Sequence, residues 1–599
     1  MTDVSTRARR SGPHRRPGRR RWWWLGAGLL LGGLLGMAGW LAVSALDGRA
    51  SLVAARGHLD AAARAVSAGD TATAGREIDL AASAAHEARD ATSALPWSIA
   101  SAVPGAGGPF RTAGDIAAIT DDLIAQVLQP ALRGGSALLT KQLRPAPGQV
   151  DIEAIAASRE ALAAAATAAR SLDERARAID PPGWVAEIED ARRLLQAEVS
   201  RLTADVATAE KAATLLPPML GADGPRRYLL AFQTNAEARG TGGLIGAFGL
   251  LTADGGRLAV DGLASNRDLR SGRSSGPDLG PDYAQQYAGY SSTTLWSNAN
   301  SSPHFPYAAQ IWSSLWVQQG GQPLDGVVAL DPFVLAEILR ATGPLTLPGG
   351  EVVDADNVVR ITESESYVRF GDDNTARKDY LQSIATAVAA AVVDGDGSAA
   401  ALVAALRTAT DQYRLSVWSA APDEQALLSG TALGHEVDQT DGPYAALVVN
   451  NGSGNKLEYY LDRVLDYRAG PCTASARQSL VTVDLHNDAP LEPLPESVAG
   501  PRNRLSAPVN SNRLLVSLYA TTDAQLAAVS VDGTPSTARI GRERGHPVFT
   551  VTLVIPPQTT TRIVFDLVEP SRPGTPIVPV QPLARPMDAT VSVPDCAAG

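Results

Sequence analysis

The hydrophobic rhythm of the chain changes three times, and each change predicts a different kind of element. Residues 22–46 are 25 consecutive uncharged residues, mostly apolar. A helix rising about 1.5 Å per residue needs roughly 20 such residues to cross a bilayer, so this run is long enough to span one with some tilt. Residues 48–215 follow, rich in alanine, with apolar positions three and four apart: Leu59, Ala63 and Val66, then Ile116, Ile119, Leu123 and Val127. That spacing predicts amphipathic helices. Pro96, Pro104 and the cluster from Gly105 to Pro109 interrupt it, so the expectation is a hairpin or bundle of several helices, a stalk at the membrane surface.

After Pro217-Pro218 the pattern turns strand-like. Residues 228–232 and 244–252 are short apolar runs, and 257–263 alternates after the turn Asp254-Gly255-Gly256. A polar stretch, 265–305, is long enough inside a compact domain to predict a functional loop or lid. A strand at 326–330 leads into Asp331-Pro332, a helix cap and first position, and that helix stops at Gly343-Pro344. A long helix is expected over 375–393, and a strand at 444–450 closes an α/β domain placed at 216–470. From Cys472 on, runs at 479–485, 513–519, 546–555 and 561–568, spaced by Pro, Asn and Gly, predict a β-sandwich over 471–599. The expected fold is therefore multidomain α+β: transmembrane helix, helical stalk, three-layer α/β core and terminal sandwich.

Charge gives this order a direction. Eight arginines lie in residues 1–21 and only Arg49 follows the apolar run closely, with Trp22, Trp23 and Trp24 at the junction. The positive-inside rule places that tail in the cytoplasm and the rest outside. The alternative is a cleaved signal peptide, with Val43-Ser44-Ala45 as a small-residue site, although signal h-regions are shorter. The tail carries a formal +7 in a chain of −11, leaving −18 for the exported part, a poor match to nucleic acid. Only four of 52 basic residues are lysine, the mark of a GC-rich genome. Gly28, Gly32 and Gly36 form a small-residue face through which two membrane helices can approach closely, a route to a homodimer. Cys472 and Cys596, the only two cysteines, bracket the last region and in an oxidising compartment form a disulfide; two unrelated buried thiols are the alternative.

Candidate chemistry concentrates at strand ends. The segment Asn235-Ala-Glu237-Ala-Arg239-Gly240-Thr241-Gly242-Gly243 reads as a glycine-rich loop whose N–H groups and Arg239 face an anion. Arg267 and Asp268 follow the third strand; Arg369, Asp373 and Arg377 precede and open the long helix. Loops at strand C-termini of an open α/β sheet converge on one crevice, and arginines around a helix N-terminus there suit a pyrophosphate. Pairing of these arginines with neighbours such as Glu237, Asp268 and Asp373 is the competing reading. No catalytic residue is assigned. The Gly272-Arg-Ser-Ser-Gly276 match to a nucleophile elbow lacks the flanking strand and helix, and the seven histidines lack zinc spacing.

Arg227-Tyr-Leu-Leu, Thr241-Gly-Gly-Leu-Ile-Gly, Leu324-Asp-Gly-Val-Val-Ala-Leu-Asp331, Thr342-Gly343-Pro344 and Asn450-Asn-Gly-Ser-Gly-Asn-Lys456-Leu-Glu-Tyr-Tyr together resemble a membrane-anchored actinobacterial family known as domain of unknown function 4012. The order of strands, the Arg267-Asp268 pair and Tyr367-Val-Arg369 are more loosely similar to the LytR-CpsA-Psr envelope proteins. That resemblance implies a cell-envelope protein that binds or transfers a polyprenyl-pyrophosphate-linked glycopolymer, using arginines, acidic residues and Mg²⁺. Asn266 stands where that family has proline, and Gly242-Gly243 stand about where it has an aspartate. A non-catalytic assembly or scaffold protein on the same fold is the alternative.

Overall fold

The computed structural model describes residues 19–135, 146, 148–273, 276–394, 399–500 and 507–596, with 19–36, 38, 67, 288, 394 and 399 described by backbone alone. Nearly all of the arginine-rich tail therefore lies outside the described residues. One helix, Arg19–Ser67, runs 49 residues through the apolar run and on into the alanine-rich region without a break, about 74 Å of helix. Among the described residues no helix is long and apolar enough to cross a membrane; the first part of the apolar run, with Gly28, Gly32 and Gly36, lies outside the described side chains.

The chain is multidomain, and it divides into two compact units, residues 1–136 with 160–210, and 137–159 with 211–599. The first is helical. Helix Thr71–Ser93, capped by Asp70 accepting from the Thr73 N–H at 2.9 Å, packs on Arg19–Ser67 through Ala55, Ala62, Ala81 and Ala85. Side chains this small let helix axes approach closely. Pro96 sits in the first turn of Leu95–Ser101, and a tight connector leads to Gly108–Leu123. There Gly107 admits no side chain, because a Cβ would lie 2.2 Å from the Ser101 carbonyl oxygen.

The second unit opens with a five-stranded sheet. Strands β1 (Arg226–Arg239), β2 (Gly242–Asp254), β3 (Arg257–Ser265), β4 (Gly326–Leu330) and, after a two-stranded ribbon of β5 (Leu345–Thr346) and β6 (Val352–Val353), β7 (Ser416–Ser419) pair in the order β3-β2-β1-β4-β7. Only β1 and β4 run parallel. Leu229, Ala231, Val327 and Ala329 face the helix Phe305–Gln318 with Trp296 and Trp312. Leu230, Phe232, Val328 and Leu330 face the helices Pro332–Thr342 and Asn374–Asp394. Coverage on both faces explains why 228–232 is an unbroken apolar run rather than an alternating one.

Ten further strands form the sandwich: β8 (Ala445–Asn451), β9 (Leu461–Ala469), β10 (Ala476–Asn487), β11 (Asn512–Ala520), β12 (Gln525–Val531), β13 (Thr534–Pro535), β14 (Arg539–Glu543), β15 (His546–Ile555), β16 (Thr559–Pro570) and β17 (Met587–Ser592). One sheet runs β13-β12-β16-β10-β9-β17 and the other β14-β15-β11-β8. Leu465, Tyr467, Val481, Val483 and Phe565 meet Leu514, Val516, Leu518 and Val551 between them. Cys472 and Cys596 are joined as a disulfide, Cα–Cα 5.7 Å.

Two expectations change. The strand expected at 444–450 to close the α/β domain is β8, paired with β11 of the sandwich, and β9 also lies before residue 471. Ala445, Leu447 and Val449 pack into the sandwich core while Tyr444, Ala446 and Val448 pack against Tyr519 and Val548, so both faces are buried and the run carries no mark of its sheet. The stretch 265–305 is not a lid along its length: Trp296, Ala299, Asn300 and Ser302 are buried, and the Trp296 indole N–H donates to the Arg270 carbonyl at 3.0 Å.

Candidate functional site

The segment read as a glycine-rich loop is strand, bulge and tight turn. β1 and β2 pair Thr234 with Leu244 and then Ala238 with Gly243, so Asn235, Ala236 and Glu237 bulge from the ladder with no strand partner. Bulges of this kind re-aim side chains and recur beside functional sites. Their backbone groups are met by carboxylates: Ala236 N–H donates to Glu363 Oε2 at 2.6 Å, and Ala238 N–H to Glu458 Oε2 at 2.9 Å. The glycines serve close packing. A Cβ at Gly243 would lie 2.1 Å from the Thr234 carbonyl oxygen, and one at Gly240 would lie 2.4 Å from that of Ser301.

Arg239 is consequently not an anion receptor. It is buried and spends its fork on the protein, donating Nε to Ser297 O at 2.7 Å, Nη1 to Ala238 O at 2.8 Å and Nη2 to Glu237 Oε1 at 3.1 Å. Glu237 Oε2 accepts from Lys456 Nζ at 2.9 Å. Burial alone would raise the Glu237 carboxyl, but Lys456 and Arg239 outweigh it and hold the group below its usual value.

Beside the bulge, at the C-terminal ends of β1 and β4, lies a cavity of about 370 Å³. Such a position in an open α/β sheet is the ordinary place for a ligand. Leu244, Leu263, Leu335, Leu381 and Ala385 give it apolar walls, and Arg267, Arg377, Lys378 and Lys456 contribute four cationic side chains. Arg267 is exposed on the turn Asn266–Asp268, and its guanidinium has no acceptor among the described residues. Arg377 is 95% buried, stacks 4.3 Å above the Tyr367 ring and donates Nη2 to Asn374 Oδ1, while Nε and Nη1 are buried without partners. Lys378 Nζ reaches Ser265 Oγ and Asn266 Oδ1, both at 2.5 Å.

Burial and like-charged neighbours both disfavour the charged forms of these groups. Burial, then the neighbouring Arg267, Arg377 and Lys456, push Lys378 down to about 8. Burial, with Arg267 adding, lowers Arg377. An anion in the cavity would relieve both.

Two acidic groups line the same space. Asp331 caps the helix Pro332–Thr342, its Oδ1 accepting from the Phe333 and Val334 N–H groups and its Oδ2 from Arg414 Nη1 at 2.7 Å. Glu363 sits on a π-turn, Ile361–Glu365, a local over-wide turn common at functional sites. Its Oε2 is engaged by Ala236 and by Thr234 Oγ1, and its Oε1 is buried without a partner. Burial, with Asp331 adding, pushes Glu363 up to about 7 against its hydrogen bonds, chiefly those from Ala236 and Thr234.

This donor set does not fit a protein-held Mg²⁺. With Asp331 engaged through both oxygens, Glu363 Oε1 is, among the described residues, the one unengaged carboxylate oxygen lining the cavity, so a Mg²⁺ there would rest chiefly on phosphate oxygens and water of a ligand rather than on the protein. Among the described residues no group of three or more His, Cys, Asp or Glu is placed to hold a metal.

Of the six anion-site candidates, Arg267 and Arg377 line the cavity and four do not. Asp268 lies exposed on the turn beyond Arg267. Arg369 forks onto Glu351 through two bonds of 2.9 Å on the surface, and Asp373 accepts from the Ala376 N–H at 3.0 Å as a cap of the long helix. Arg369 and Asp373 are thus engaged by the protein itself, Arg369 by a carboxylate 18 residues earlier and Asp373 by its own helix. Lys378, Lys456 and Glu363 belong to the site and were not singled out. Lys378 had a visible cue, adjacent to Arg377 in the first turn of a helix; Lys456 and Glu363 arrive from elements whose approach no spacing reveals.

Residues 223–367 match a family described as a protein of unknown function (DUF4012). The match takes in β1–β4 and the π-turn, and stops short of Arg377, Lys378 and Lys456. No curated protein matches the chain. A solved structure from Legionella pneumophila subsp. pneumophila str. Philadelphia 1, provisionally described as a nutrient binding protein, is similar over 22% of this chain and 44% of its own, at 9% identity and a TM-score of 0.14. A likeness that low carries no argument.

Proposed function

We propose that this chain is a single-pass cell-envelope protein, its amino terminus cytoplasmic, whose α/β domain binds the phosphate head of a polyprenyl-linked glycan. The ligand class rests on one observation: a cavity of about 370 Å³ in which four basic side chains meet apolar walls, with two buried Arg377 nitrogens still lacking acceptors. A phosphate head satisfies the donors, and the first isoprene units suit Leu244, Leu263, Leu335 and Leu381. The membrane assignment is supported by the arginine-rich tail ahead of 25 uncharged residues.

The reading commits to capture rather than transfer. Asp331 is engaged through both oxygens and the acidic set is too small to hold a metal without the ligand, which favours the scaffold or assembly alternative over a phosphotransferase. The test is calorimetry of the full chain in detergent with farnesyl phosphate and farnesyl pyrophosphate. Saturable binding is expected, weakened about tenfold to a hundredfold in Arg267→Ala and in Lys378→Ala, with Arg170→Ala on the helical unit unchanged. Absence of binding by the wild type, with and without Mg²⁺, overturns the reading; release of the lipid alcohol or of a transferred product overturns the choice of capture.

A further inference from the structure

Of the two carboxylates lining the cavity, Glu363 is the one with an oxygen to spare. Its side chain is 98% buried, Oε2 takes two donors, and Oε1 has none. An ionised oxygen buried without a donor is costly; protonated, the same oxygen becomes a donor and needs an acceptor. The charged and titratable groups that face it are Asp331 at the head of the helix Pro332–Thr342, Tyr367 on its own segment, Arg377 from the long helix and Lys456 ahead of β9. Asp331 is engaged through both oxygens, Arg377 and Lys456 are donors, and no hydrogen bond joins the Tyr367 hydroxyl to Glu363, so Oε1 has no partner among them.

We propose that Glu363 Oε1 shares one proton with an oxygen of the bound phosphate head, so that ligand capture by this site takes up a proton. The inference rests on the reading of the cavity as a phosphate site and deepens it: it makes Glu363 a ligand-contacting group and predicts that affinity falls as pH rises. Burial places the group near 7, where that proton is in exchange. Binding coupled to one proton weakens by up to tenfold per pH unit above that value. Lys378, at about 8, loses charge in an overlapping range and must be held constant.

The test therefore uses the full chain in detergent carrying Lys378→Arg, with farnesyl phosphate, a dianion above about pH 7. Affinity is expected to fall about five- to tenfold between pH 7.5 and 8.5, and addition of Glu363→Gln is expected to flatten that slope. A slope unchanged by Glu363→Gln, or no slope at all, overturns the inference while the phosphate site stands. If the glutamine variant does not fold, calorimetry of Lys378→Arg at pH 7.5 in two buffers of different ionisation enthalpy decides: about half a proton or more taken up supports it, none overturns it. If the wild type binds no farnesyl phosphate, the phosphate reading itself fails and this one falls with it.

Discussion

Arg239 and Arg377 are both buried guanidiniums in the same domain, and their surroundings give them opposite work. Every nitrogen of Arg239 finds a protein acceptor, whereas Arg377 keeps two nitrogens unmet beside a cavity. Arg239→Ala should therefore act on stability, breaking a buried ion pair at a cost of about 3 kcal/mol or more, read as a lowered denaturant midpoint. An unchanged midpoint would count against the structural role. Glu458 yields a pH prediction. Burial pushes it up to about 7, so between roughly 4.5 and 7 the folded state holds a proton that the unfolded chain has released. The folded form then binds more protons, and stability falls as pH rises through this window. Glu458→Gln should reduce the loss of melting temperature between pH 5 and 8; an unaltered difference would contradict it. At this scale a sequence displays which side chains are present, not which partner lies within 3 Å. Arg267 and Arg377 reach the cavity and Arg239 and Arg369 do not, although all four follow strands or open a helix.

Elements were more legible than residues, for a physical reason. The runs 546–555 and 561–568 nearly coincide with β15 and β16 because a sandwich strand alternates inward apolar with outward polar positions. β8 could be seen as a strand but not placed, since both of its faces are covered. The bulge after Thr234 was hidden because glycines that admit backbone contact and glycines that cradle an anion look identical in a sequence. The disulfide spans 124 residues, from the approach to β10 to the end of β17. In the chain-entropy model, closing a loop of that length stabilises by about 4–5 kcal/mol, with measured values often lower. Reduction should lower the unfolding midpoint accordingly, and replacing both cysteines with alanine should reproduce the shift. Equal stability of reduced and oxidised protein would place the loop's order elsewhere.

For the whole molecule, the asymmetry of charge around residues 22–46 predicts topology. Protease added to intact cells should remove the bulk of the 62.3 kDa chain and leave a small fragment carrying the amino terminus; a fully protected chain would reverse the assignment. The second unit also has an order in time. Gln581 Nε2 donates to the Arg239 carbonyl, 342 residues earlier, at 2.7 Å, and Asn235 Nδ2 donates to the Pro582 carbonyl at the same distance. The β1 bulge that helps to hold Glu363 is thus finished by residues the ribosome adds more than 340 positions later. A chain halted by a premature stop codon after Lys456 but before residue 581 would carry the whole cationic cluster in its sequence and still lack part of the support for that bulge. A truncation that removes residues 581 and 582 is thus expected to loosen the wall of a pocket whose own lining ends at Lys456, so the smallest form with the bulge fully braced must reach past Pro582.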